Sequence, residues 1–106
     1  MDVGEIDGDF YGWTESNAKN SPEASGVYGL FESQSEGRLI YIGCASNIRE
    51  RLTGYWSTNF SDDPCKRTTK FYKREVTGDY KNREKALLKQ YKQEHNGKLP
   101  RCNQVV

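Results

Sequence analysis

Apolar positions along the 106-residue chain fall into short clusters with distinct periods. The segment GVYGLFES (26–33) alternates and is rich in aromatic and aliphatic residues, the pattern of a strand. A polar stretch, QSEG (34–37), separates it from RLIYIG (38–43), and so short a gap predicts a β-hairpin. Gly43 ends the second strand. Ile48, Leu52, Tyr55 and Trp56 then recur at i, i+4, i+7 and i+8, one face of a helix. Asn47, with Glu50 three residues on, has the form of an N-cap and its reciprocal acid. Residues 57–64 read as a loop, and TKFYKREV (69–76) as a third, basic strand bearing Phe71 and Tyr72. A second helix is predicted from near Asn82 to about His95, with Leu87, Leu88 and Tyr91 as its stripe and Ala86 at the edge. Asn96-Gly97 and then Pro100 stop it. The order strand, strand, helix, strand, helix predicts an α/β domain: a small three-stranded, mostly antiparallel sheet flanked by helices. No internal repeat or low-complexity segment interrupts it.

Composition narrows the class. Aromatics at 12% argue against disorder, and the length suits one compact domain rather than two. No apolar run is long enough to span a bilayer, and the first twenty residues are acidic rather than basic-then-apolar, so neither a membrane span nor a secretory signal is expected. Three widely spaced cysteines (Cys44, Cys65, Cys102) make neither a disulfide framework nor a zinc knuckle. A zinc site built from these and His95 has no support in the spacing. Ordinary reduced thiols, in a reducing, cytoplasmic location, are the expectation.

Charge changes the picture more. The formal net charge of +1 conceals an acidic head, residues 1–35 at net −6, and a basic body, residues 36–106 at net +7. A basic body invites an anionic partner. The Gly-, Asp- and Ser-rich arm 1–24 is expected to pack on the domain through Phe10, Tyr11 and Trp13, with residues 25–106 forming the domain proper.

GVY at 26–28 and YIG at 41–43 resemble the paired signature of the GIY-YIG endonucleases. Downstream, Arg51 sits where that family carries its helix arginine, Tyr55 where it has a Tyr or His, and LPRCN (99–103) resembles its terminal Pro-x-x-Asn, with Pro100 and Asn103. The resemblance covers about residues 25–104. It implies a nuclease in which Tyr28 takes part in deprotonating the attacking water, Tyr41 orients water or phosphate, and Asn103 orients the acidic ligand or a substrate phosphate. It also implies one divalent ion, Mg²⁺ or Mn²⁺, and products with 5′-phosphate and 3′-hydroxyl ends.

The residues have a physical reading beside the family one. A phosphodiester hydrolase must activate water, neutralise phosphate and usually hold a metal. Phenols on facing strands of a hairpin can converge on one face. A phenol of pKa about 10 is nonetheless a poor base at neutral pH unless a cation lowers it. Arg51 lies about 60° from Ile48 around the helix, at the rim of its apolar stripe, and Tyr55 is one turn on. A guanidinium there can clamp phosphate with two parallel hydrogen bonds. Gly26 and Gly43 flank the tyrosines where backbone or substrate must pass closely.

The family's metal-ligand glutamate is expected four residues after Ala86, and that position holds Gln90. An amide oxygen is neutral, whereas a hard dication depends on carboxylate charge. Three explanations stand: an engineered Glu→Gln change that leaves a binding-competent, non-cleaving chain; a natural non-cleaving relative; or another acid, with Glu94 the fallback and Glu84 assigned to the electrostatics of the helix N-terminus.

Twelve bases against four acids lie in residues 66–101. Lys66, Arg67, Lys70, Lys73 and Arg74, with Gly43, are the candidates for nucleic-acid contact, while Lys81, Lys85, Lys89 and Lys92 read as a solvated helix face. The expected function is therefore a metal-dependent DNA endonuclease acting on double-stranded or branched DNA, with no membrane partner, as a monomer or a transient dimer on DNA. The alternative is a non-catalytic nucleic-acid-binding module of the same fold.

Overall fold

The computed structural model describes residues 6–57 and 64–103. Among these residues four strands form a single antiparallel sheet: β1 (Tyr11–Gly12), β2 (Gly26–Phe31), β3 (Leu39–Ala45) and β4 (Phe71–Val76), in spatial order β1-β4-β2-β3. Three helices accompany them: α1 (Glu15–Lys19), α2 (Ile48–Ser57) and α3 (Tyr80–Glu94). Short 3-10 turns occupy Glu36–Arg38, Pro64–Thr68 and Arg101–Asn103. No helix among the described residues is long and apolar enough to cross a membrane.

The hairpin, the third basic strand and both long helices lie where the apolar periods put them, except that β3 runs past Gly43 to Ala45, where Cys44 and Ala45 still pair with Val27 and Gly26. Asn47 caps α2, its Oδ1 accepting from the Glu50 amide at 3.1 Å. α3 stops where Asn96 and Gly97 adopt left-handed φ values of 56° and 83°, and the Gly97 amide bonds back to the Lys92 carbonyl at 2.7 Å.

The sheet has four strands, not three. Tyr11 and Gly12 pair with Tyr72 and Phe71, so the acidic arm supplies an edge strand. Two residues are too few to show a period of two, and Gly12 reads locally as a breaker. α1 went unpredicted for the same reason: at five residues it has one turn and a Thr14 cap bonded to the Asn17 amide. The predicted loop lies mostly outside the described residues.

Cys65 and Cys102 form a disulfide, correcting the expectation of reduced thiols; Cys44 remains free. The two cysteines stand 37 residues apart in sequence. They meet because the 64–68 and 101–103 turns both dock near β3, a proximity no local spacing encodes. The inference of a reducing compartment loses that support.

β2 is buried along its whole length, because it is central and both of its faces are covered. Its alternate residues feed two cores. Tyr28 and Leu30 join Ala18, Ile40, Ala45, Ile48, Leu52, Tyr55 and Tyr72 under α1 and α2. Val27 points the other way, with Ile6, Ile42 and Leu87, under α3. The register of β2 against β3 shifts between Leu30 and Phe31. This irregularity puts Ile40 and Tyr41 on the α2 side together.

Candidate active site

The two signature tyrosines enter the site from neighbouring strands. Tyr28 pairs with Gly43 and Leu30 with Tyr41, which aims both phenols to the α2 side of the sheet. Their rings lie 6.0 Å apart, centroid to centroid. Gly43 makes room for this: a Cβ there would stand 2.6 Å from the Tyr28 ring and 2.8 Å from Tyr41. Gly26 is held equally tightly, with Ile48 Cδ1 at 2.8 Å from any added Cβ and the Glu75 carbonyl closer still.

α2 brings two more groups. Tyr55, buried, shares a 2.8 Å hydrogen bond between its hydroxyl and that of Tyr28. Trp13, from the acidic arm, packs edge-on to Tyr55 with centroids 6.1 Å apart. Arg51 keeps an exposed position at the mouth and hydrogen-bonds Tyr28. The four residues Tyr28, Tyr41, Tyr55 and Arg51 thus converge at one end of the sheet.

Lys66 completes the cluster from the 64–68 turn. It is only 6% exposed, its Nζ stands 3.8 Å over the centre of the Tyr41 ring and 5.1 Å from that of Tyr55, and it donates to the Tyr55 hydroxyl at 3.4 Å. As one lysine in a run of bases, its sequence carries no sign of this burial.

Burial and neighbouring groups favour the protonated forms of Tyr28 and Tyr41. Burial pushes Tyr28 well above its ordinary pKa; the neighbouring Tyr55 and Tyr41 and the Tyr55 hydrogen bond add to this, and Arg51 opposes it. Tyr41 is raised too, by burial first and then by Tyr55, with the Lys66 charge and the Tyr28 hydrogen bond opposing. For Arg51, burial works against the charged form, but the charge and hydrogen bond of Tyr28, with Tyr55 and Tyr41, outweigh it and raise its pKa. In the free protein the raised pKa favours Tyr28 with its proton in place.

Asn103 is held in a different role from a side chain facing substrate. Its Oδ1 accepts from the Ile42 amide at 2.8 Å and its Nδ2 donates to the Ile42 carbonyl at 2.9 Å. Ile42 sits on the outer edge of the sheet, so this amide satisfies backbone groups that no strand reaches. It also pins the 101–103 turn beside Tyr41 and Gly43.

No hydrogen bond, ion pair or charge effect connects Glu94, exposed at the end of α3, to the tyrosines among the described residues, and Gln90 is half-buried on the same helix. Among the described residues, the carboxylate whose charge reaches Tyr41 is Glu84, one turn into α3. It raises Tyr41, and after burial it is the main group raising the Cys44 thiol, which it also hydrogen-bonds. Among the described residues no three His, Cys, Asp or Glu side chains group as metal ligands would. The donor set fits a hard dication only if Glu84, or a carboxylate at position 90, supplies the negative charge.

The other candidates for nucleic-acid contact divide. Arg67 and Lys70 are exposed. Lys73 is buried with its Nζ 4.7 Å over Phe10, and the Arg74 guanidinium stacks 4.0 Å over Tyr11, so both help hold the arm to β4.

No family model matches the chain. It is 30% identical over 81 residues to UvrABC system protein C of Porphyromonas gingivalis, a stretch covering 71% of this chain. It is 43% identical over 42 residues, 40% of this chain, to UvrABC system protein C of Helicobacter pylori. The chain spans 13% and 7% of the length of these two relatives.

Proposed function

We propose that this chain is a GIY-YIG-type nuclease domain that hydrolyses DNA phosphodiesters to 5′-phosphate and 3′-hydroxyl ends. The observation that carries the reading is the convergence of Tyr28, Tyr41 and Tyr55 around the exposed guanidinium of Arg51. The similarity to UvrABC system protein C supports the same superfamily.

Arg51 is placed to take two oxygens of a phosphate and to favour the pentacoordinate transition state, which carries more charge than the ground state. An incoming phosphate at Arg51 approaches three phenol hydroxyls. Tyr28 and Tyr41, protonated, donate to it or to the attacking water. The negative charge of the phosphodiester works against ionising Tyr28 and Tyr41, so a phenol takes the water's proton only with added positive charge nearby. Mg²⁺ or Mn²⁺ is the expected source of that charge when bound. Glu84, or Gln90 once made acidic, would hold it. Arg67 and Lys70 extend the positive surface along the backbone of the nucleic acid.

The second reading, a nucleic-acid-binding module that does not cut, is favoured by Gln90 at the expected glutamate position. A plasmid-nicking assay with Mg²⁺ or Mn²⁺ on this chain, Gln90→Glu and Glu84→Gln decides between them. Cleavage by this chain, lost in Glu84→Gln, identifies Glu84 as the ligand. Cleavage appearing only in Gln90→Glu identifies position 90 and makes this chain a cleavage-deficient form. Cleavage by neither this chain nor Gln90→Glu, with salt-sensitive DNA binding retained, gives the binding module.

A further inference from the structure

Burying a lysine among aromatic rings costs free energy, through lost hydration of the ammonium, unless the site gains from its charge. Lys66 is such a lysine, although its neighbours Cys65, Arg67 and Thr68 are all exposed. Its ammonium lies against the Tyr41 face, where the ring quadrupole attracts a cation, and it donates to Tyr55. Tyr55 in turn bonds Tyr28. One cation therefore touches two phenols and reaches the third through a hydrogen bond.

The backbone on both sides of this contact is tied down. Cys65, next to Lys66, is cross-linked to Cys102, next to Asn103. Asn103 grips Ile42, the residue after Tyr41. Arg101 adds a bond to Thr68 at 2.8 Å and an ion pair with Glu32 at 3.0 Å. The two turns thus form one clasp around the Tyr41 segment of β3.

We propose that Lys66 is a positioning residue of the nuclease site, setting the orientation of Tyr41 and Tyr55, and that the Cys65–Cys102 cross-link seats it. The inference rests on the nuclease reading for its catalytic consequence but not for its effect on the phenols. Among the described residues, the groups facing Tyr41 include Lys66 from the 64–68 turn, Tyr55 and Arg51 from α2, Tyr28 from β2 and Glu84 from α3. Lys66 and Arg51 are the cations among them, one from the 64–68 turn and one from α2. Lys66 works from inside the core, and Arg51 from the mouth.

Lys66→Met keeps the length and apolar stem while removing the charge, a change buried sites commonly tolerate. The tyrosine titration of the intact chain, followed by ultraviolet absorbance, should move to higher pH in Lys66→Met and stay near the original in Lys66→Arg. Cleavage, measured on whichever of this chain or Gln90→Glu is active, should fall about ten- to a hundredfold in kcat with KM within about twofold, and Lys66→Arg should recover most of it. A Cys65→Ser, Cys102→Ser double variant should move the titration the same way by less. Far-ultraviolet circular dichroism checks that each variant is folded. An unmoved titration in folded Lys66→Met overturns the proposal, as does equal loss in the Met and Arg variants. An unmoved titration in the double cysteine variant overturns the seating role. Should no form cleave DNA, the nuclease reading fails while the titration still decides what Lys66 does.

Discussion

The two faces of the sheet are made by alternate residues of the same strands, yet they are chemically unlike. Under α3 the buried set is aliphatic: Ile6, Val27, Ile42 and Leu87. Under α1 and α2 it holds three buried tyrosines, with Tyr11, Trp13, Tyr41 and Trp56 packed against them. The aliphatic face needs only shape and volume. The aromatic face buries hydroxyls, each of which must find a partner: Tyr28 with Tyr55, and Tyr72 with Ser21 and the Asn17 carbonyl. A core that must satisfy hydroxyls fixes their directions, and those of Tyr28 and Tyr55 are fixed beside Arg51 and Lys66. The difference is therefore one of role: one face supplies stability with little geometric demand, and the other supplies orientation.

Substitutions can break that division. Arg51→Ala should cost about 10³-fold in cleavage, or in phosphate-dependent DNA affinity if the chain only binds. Because the side chain is exposed at the mouth, thermal stability should hold within about 0.5 kcal/mol. Leu87→Ala is the converse, expected to lose about 2–4 kcal/mol in urea unfolding while activity per folded molecule is unchanged. A large activity loss there would show that the faces are coupled. Gly43→Ala belongs to both: an added Cβ overlaps the Tyr28 and Tyr41 rings, so about 1–3 kcal/mol of stability should go together with an altered tyrosine titration.

A smaller effect tests how the α3 side is fastened. Arg83 holds Glu75 with two bonds of 2.8 and 3.0 Å, and the Asp7 amide adds a third at 2.9 Å. Burial alone would raise this carboxyl, but the Arg83 and Asp7 hydrogen bonds and the Arg83 charge hold it below its usual value. A depressed folded pKa means stability that is present above the unfolded value and lost as pH falls through the folded one. Glu75→Gln should therefore cost about 1–2 kcal/mol at neutral pH and flatten the acid limb of the stability curve below about pH 4.5. Smallest of all, Tyr55→Phe should cost about 0.5–1.5 kcal/mol, read by thermal melting, from the lost bonds to Tyr28 and Lys66.

Periodicity alone was enough for the hairpin, for α2 with its Asn47 cap, for the third long strand and for α3 with its Asn96-Gly97 stop. These depend on contacts within a few residues, where side-chain pattern and backbone preference act directly. The position of Arg51 beside the paired tyrosines was legible for the same reason, since it follows from one hairpin register and one helix face. Four things were decided only by the tertiary structure. β1 exists because β4 offers an edge for Tyr11 and Gly12 to pair with, not because two residues prefer extension. The Cys65–Cys102 bond exists because two turns dock on one strand. Asn103 grips Ile42 because β3 is the sheet's outer strand, with backbone groups left to satisfy. Lys66 is buried over Tyr41 while Lys70, four residues on, is exposed. Local sequence is silent on all four, since each depends on which distant surface arrives beside it: burial and electrostatic environment belong to the assembled chain and not to any segment of it.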